Sequence, residues 1–154
     1  MTDTPETRLD RHGIILPVPP APVATYVATV LSGSLLVVSG QLPLADGKLF
    51  ATGKLGADVA VEVGVEAARY AMINVIAQVR AAVGDLSRVR RVVRLGGFIA
   101  CVPDFTQHAT VMNGASDLAV AIFGDAGLHA RSTIGVPSLP LDAAVEVEGL
   151  FEIA

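Results

Sequence analysis

Residues 129–148 read H-A-R-S-T-I-G-V-P-S-L-P-L-D-A-A-V-E-V-E, and the architecture of the chain turns on how this stretch divides. Arg131 opens a short run, Ser132 to Val136, with the composition of a strand. Pro137 to Asp142 then turns the chain, and Ala144 to Phe151 alternates like a second strand. The pattern predicts a hairpin with functional groups at its mouth. Because side chains alternate with period two, Val145 and Val147 share one face and Glu146 and Glu148 the other.

Working outward, Gly124 and Gly84 each end a helical pattern. Between Asp104 and Gly124 the stripe Val111, Ala115, Leu118, Ala119 and Ile122 marks one helix, and Asp104-Phe105-Thr106-Gln107 has the form of its capping box. A longer helix starts near Ala57 or Asp58, with Asp58 as N-cap, and carries Val65, Ala68, Met72, Val75, Ile76, Val79 and Val83 at spacings of three and four. Val89 to Val102 exceeds an ordinary strand, so a bulge is expected at Gly96-Gly97.

Tyr26 to Leu31 and Leu35 to Gln41 read as a hairpin across Ser32-Gly33-Ser34, with a minor strand near Lys48 to Phe50. Leu16 to Pro22 must be extended because proline fixes φ and restrains its predecessor. The polar start of the chain, residues 1–15, reads as a flexible or surface-lying arm. The sum is a single α+β domain spanning 1–154, with about six strands and two helices. Two helices cover one face of such a sheet, so the other face calls for association between subunits.

Composition narrows the function. Hydrophobic residues make up 52% and charged residues 17%, with a mean hydropathy of +0.58. That surplus of apolar side chains suits a subunit interface. A net charge of -4 argues against nucleic acid and anionic membranes as general partners, and favours a small molecule. No apolar run reaches the roughly 20 residues that cross a bilayer, and no signal peptide is recognisable, so a cytoplasmic protein is expected. Cys101 is the only cysteine and reads as a buried strand thiol.

Metal chemistry has little support. His12, His108 and His129 are scattered, without H-E-x-x-H or C-x-x-C spacing, and no cofactor motif is present. Ser116 lies inside a helical pattern rather than at a strand-to-helix elbow and reads as structural. Arg88, Arg90, Arg91 and Arg94 form a basic cluster that could touch phosphates, but such clusters are more often solvated strand edges. Arg131 stands apart, since Gly127 and Ala130 beside it leave room for a ligand and its planar fork matches a carboxylate. A salt bridge to Glu146 or Glu148 accounts for it equally well.

Several blocks together resemble one known family. They are Tyr26 in T-Y-V, Ser39-Gly40-Gln41-Leu42-Pro43, Asn113 ahead of Phe123, and Ala130-Arg131-Ser132 followed after six residues by Leu139-Pro140 and the V-E-V-E strand. The chain thereby resembles the reactive intermediate deaminases, the Rid or YjgF family, from about Tyr26 to Phe151. The resemblance implies a chorismate-mutase-like curved sheet with two helices on one face, assembled as a homotrimer with sites in the clefts between subunits.

It also implies hydrolysis of an enamine or imine of the 2-aminoacrylate or 2-iminobutyrate type to a 2-keto acid and ammonia, with no metal or organic cofactor. Arg131 would hold the substrate carboxylate and Glu146 would orient or activate water. The Thr133 backbone would position the imine, and Tyr26 and Asn113 would line the pocket. Thr133 stands where many members carry cysteine, and Gly135 where the standard deaminases often have an acidic residue. Asn113 to Gly127, beginning N-G-A-S-D-L, resembles a less characterised subgroup. A trimeric protein that binds small carboxylates or keto acids without turnover is the alternative from another class, and ribonuclease action a third.

Overall fold

The computed structural model describes residues 2–19, 21, 22 and 24–154. The sheet strands are β1 (Thr29–Ser32), β2 (Leu35–Gln41), β5 (Val89–Ala100), β6 (Ala130–Val136) and β7 (Val145–Ile153). They are ordered β1-β2-β7-β5-β6. β3 (Leu44–Ala45) and β4 (Lys48–Leu49) form a separate two-stranded ribbon. All neighbours in the main sheet are antiparallel except β5 and β6.

That arrangement corrects the hairpin expected for residues 132–151. Among the described residues β6 pairs only with β5, in parallel, and β7 lies on the far side of β5, between it and β2. The reason is the helix between β5 and β6: a strand–helix–strand unit returns its second strand parallel to the first. Residues 137–144 must then pass over the end of β5, and Leu141 and Asp142 take positive φ (58° and 61°) to do so.

Helices α2 (Val61–Val83) and α3 (His108–Phe123) pack side by side on one face. Leu36, Val38, Leu95, Ile99, Val145, Val147 and Phe151 point up from the sheet into Met72, Ile76, Val79, Met112 and Ile122 of the helices. Each such fully buried side chain contributes about 1.5–3 kcal/mol. The helices approach closely at Gly114, where a Cβ would overlap the Val65 carbonyl oxygen and lie 2.9 Å from its carbon.

Both helix starts are later than the sequence suggests. Asp58 does not cap α2; its carboxylate accepts from the Lys54 backbone N–H at 2.9 Å and closes the preceding loop. Asp104 lies in the turn closed by Phe105 N–H to Val102 O at 3.1 Å, so α3 opens at His108 without a side-chain cap. The bulge expected at Gly96-Gly97 is also displaced. Register shifts fall between Val89 and Arg91 and between Val92 and Arg94, while both glycines pair regularly. Their missing side chains serve packing. A Cβ on Gly97 would overlap Met112 Sδ from above, and one on Gly96 would lie 2.7 Å from Glu148 Oε1 below.

The N-terminal segment is not a free arm. Residues Pro5–Arg11 form α1, begun by a capping box between Thr4 and Thr7 and by Pro5 in the first turn. Leu9 is 3% exposed, Arg8 Nη1 donates to Ile122 O at 3.2 Å, and Glu6 Oε1 accepts from Leu86 N–H at 2.7 Å. Asp3 pairs with both Arg8 and Arg11. A third helix thus joins the two expected, packing against α3. In the extended lead-in of residues 16–22, Pro20 lies outside the described residues, as does Met1 of the expected arm; the described part has no helix or strand.

The opposite face of the sheet is open. Val30, Leu35, Val37 and Ile134 project from it at 50%, 41%, 47% and 53% exposure, beside Phe98 and Leu150. No helix among the described residues is long and apolar enough to cross a membrane.

Candidate active site

Arg131 points to the helix side of the sheet. Its neighbour across the strand pair is the buried Leu95, and its guanidinium lies along α3, donating to Ser116 Oγ at 2.9 Å and to the Ala109 carbonyl at 3.2 Å. Ala109, Asn113 and Ser116 are spaced by four and three residues and so share one helix face, which sets Asn113 beside this fork. Thr133 follows on the same face of β6; its hydroxyl is buried and has no hydrogen-bond partner among the described residues. Among the described residues Arg131 has no carboxylate partner. The salt-bridge reading fails because Glu146 and Glu148 lie on the other face, where Glu148 sits 3.7 Å from Arg94.

A short relay fixes the guanidinium. His129 Nδ1 lies 2.6 Å from the Gly127 carbonyl oxygen, which can only accept, so Nδ1 carries the proton. In the neutral ring Nε2 is then an acceptor, and the Ser116 hydroxyl 2.9 Å away donates to it. A lone pair of the same Ser116 oxygen accepts from Arg131. Ser116, read from the sequence as structural, and His129, read as one of three scattered histidines, are therefore parts of the Arg131 setting. A usable signal existed: Ser116 is three residues beyond Asn113, and His129 is two before Arg131, just ahead of β6. Gly127 plays a different part from the ligand space expected of it. A Cβ there would lie 2.8 Å from the Val120 Cα, so the glycine lets the chain pass beneath α3.

Glu146 occupies the open face, half-buried, directly across from Phe98. Burial first, and the neighbouring Glu148 carboxylate second, push its carboxyl above the ordinary carboxylate range. Gly40 makes room for it, since a Cβ at that position would lie 2.8 Å from the carboxylate carbon. Gly40 also lines a cleft of about 170 Å³ with Tyr26, Gln41, Pro140 and Leu141. Tyr26 and Glu146 are thus neighbours of the same glycine.

The five residues singled out from the sequence fall into two groups. Arg131, Asn113 and Thr133 lie at the β6–α3 edge, whereas Glu146 lies on the open face and Tyr26 in the cleft beside Gly40. Two strand spacings, about 10 Å, separate β6 from β7, and the key side chains point to opposite sides of the sheet. A small imino acid cannot touch both within one chain. Of the basic cluster, Arg88 is spent on the carbonyls of Val83 and Ala154 and Arg94 on Glu148.

Residues 6–153 match the family described as "YjgF/chorismate mutase-like, putative endoribonuclease". Protein TCP17 of Trypanosoma cruzi is 49% identical over 146 residues, covering 94% of this chain and 91% of its own. The 2-iminobutanoate/2-iminopropanoate deaminase of Escherichia coli K12 is 34% identical over 134 residues, 85% of this chain and 89% of its own. A crystal structure of a protein of unknown function from Agrobacterium tumefaciens superposes with a TM-score of 0.92 at 46% identity, over 97% of this chain and 92% of that one. With its α+β fold, its mostly antiparallel sheet and a match over nearly its whole length, the chain belongs to the YjgF/Rid family.

Proposed function

We propose that the protein is a hydrolytic deaminase of reactive enamine and imine intermediates of the 2-aminoacrylate or 2-iminobutyrate type, acting as a homotrimer. The observation that carries this reading is Arg131: a half-buried guanidinium oriented by two neutral acceptors and, among the described residues, left without a counter-ion. Such a fork suits a small carboxylate. The open apolar sheet face supplies the surface for association, and assembly would bring the Arg131 half of one copy to the Glu146 half of the next.

In such a cleft Arg131 holds the substrate carboxylate, with Asn113 and the Thr133 backbone beside the imine and Tyr26 on the opposite wall. Glu146, whose raised basicity suits a proton acceptor, takes a proton from water as the oxygen attacks the imine carbon. The carbinolamine then collapses, releasing ammonia and leaving the 2-keto acid. The protonated imine is electrophilic enough that positioning and proton transfer suffice.

The test is ammonia release from freshly generated 2-iminobutyrate. Arg131→Ala and Glu146→Gln are each expected to lose about 10²-fold or more. Mixing the two inactive variants under exchange conditions should restore part of the activity, because some clefts then receive an intact half from each. Wild type no faster than the spontaneous reaction refutes the activity. If 2-ketobutyrate still binds through Arg131 in that case, the protein is a small-carboxylate binding protein.

A further inference from the structure

A second pair of reactive groups lies apart from this site. Cys101, at the end of β5, is half-buried rather than sealed in the core, and its Sγ is 3.6 Å from Nε2 of His108, the first residue of α3. The Phe105 ring meets the imidazole edge-on at a centroid distance of 5.2 Å and restrains it. Both groups rest on Gly135 of β6, where a Cβ would lie 2.6 Å from Sγ and 2.6 Å from Nε2. Only glycine leaves this pair intact. They face a cleft of about 480 Å³ walled by Val102, Pro103, Phe105, Val136 and Pro137, with Lys54 as its cation.

We propose that this cleft is a second small-molecule site, in which Cys101, with His108 as proton acceptor, adds to small carboxylate-bearing α,β-unsaturated electrophiles. A thiol beside a base is a nucleophile in waiting. The cleft sits at the carboxyl ends of β5 and β6, the one parallel pair of the main sheet. A metal is the weaker occupant, because no group of three or more His, Cys, Asp or Glu side chains converges among the described residues. Among the described residues no carboxylate lines the cleft, and Lys54, although Asp58 lies close enough to offset part of its charge, favours an anionic ligand.

The step balances without a further reactant. His108 Nε2 takes the Sγ proton, the thiolate sulfur bonds to the β-carbon, and the π electrons move onto the carbonyl as an enolate. The α-carbon then recovers the proton from His108, giving a thioether. Gly135 is two residues beyond Thr133 and four beyond Arg131, about 7 and 13 Å along β6, so the cleft neighbours the deaminase site without sharing a lining residue with it, and the inference does not depend on that reading.

With one cysteine in the chain, intact-mass analysis follows Cys101 alone. The probes are acrylamide and acrylate, each rate divided by that of the same probe with N-acetylcysteine. With acrylamide, Cys101 is expected to react about tenfold faster than the free thiol, and His108→Gln to lose about 10²-fold. Gly135→Ala, which keeps both groups but forces them apart, should fall with it, circular dichroism confirming that both variants are folded. Lys54→Met should slow acrylate by about threefold while leaving acrylamide unchanged. A wild-type thiol slower than N-acetylcysteine, or one indifferent to His108→Gln and Gly135→Ala, overturns the proposal. An equal response of both probes to Lys54→Met overturns its carboxylate preference.

Discussion

Replacing Ser116 with alanine removes one oxygen from the candidate site and should weaken carboxylate binding by about tenfold. The hydroxyl performs two tasks, donating to His129 Nε2 and accepting from Arg131 Nη1, both at 2.9 Å. A hydrogen bond from a charged donor contributes about 1.5–3 kcal/mol when protected from water. Arg131 is only half-buried, so water replaces part of that contribution and the lower end applies. About 1.4 kcal/mol corresponds to a factor of ten in affinity. The Ala109 carbonyl still holds Nη2, which is why the loss should stay short of that for Arg131→Ala. Calorimetric titration with 2-ketobutyrate reads the effect without relying on turnover. Ser116→Thr retains the hydroxyl and should bind within about threefold of wild type. Affinity unchanged in Ser116→Ala but abolished in Arg131→Ala would refute the claim that the relay orients the guanidinium.

Two further predictions concern stability. Glu146 has a folded pKa above its ordinary 4.5, because burial and Glu148 both disfavour its ionised form. Below the unfolded value both states are protonated; as pH rises through the folded value the native carboxylate ionises at a cost, so stability falls. Glu146→Gln should therefore melt higher than wild type at pH 8 and match it near pH 4, and a difference independent of pH would contradict this. Gly114→Ala gains about 1 kcal/mol of helix propensity but forces a Cβ into the Val65 carbonyl, an overlap costing about 3 kcal/mol. Urea unfolding should show a net loss near 2 kcal/mol, whereas a stabilised variant would mean that α2 and α3 separate freely.

Local features of the fold were legible where one physical cause dominates. The α3 stripe from Val111 to Ile122, the terminating glycines 84 and 124, and β2 from Leu35 to Gln41 depend on periodicity and backbone freedom alone. The errors arose where two causes compete. Asp58 and Asp104 carry helix-cap chemistry that nearby loop backbone captures first. Strand pairing between β6 and β7 was misread because adjacency in sequence favours a hairpin, whereas the α3 crossover dictates a parallel partner for β6. α1 was missed since Leu9 is its one buried side chain, too little for a periodic pattern, although Thr4-Pro5-Glu6-Thr7 carries a start signal. At the site, residue type and setting singled out Arg131, whereas Glu146 was singled out through the family resemblance. That they face opposite sides of one sheet became apparent only once the register was known, and Cys101 meets His108 through a turn that no spacing rule anticipates.

The position of β7 also bears on how the chain reaches its native state. β7 pairs with both β2 and β5, and it is the last of these strands to leave the ribosome. Until then the β1–β2 hairpin and the β5–α3–β6 unit are two fragments with no shared backbone ladder, each presenting an unpaired edge. Closing the sheet joins Leu35 to Glu152 across most of the chain, a contact whose loop entropy must be overcome before its hydrogen bonds form. The nascent protein therefore passes through a stage in which two sticky edges await one insert, and in which another chain's β7 could fill the gap.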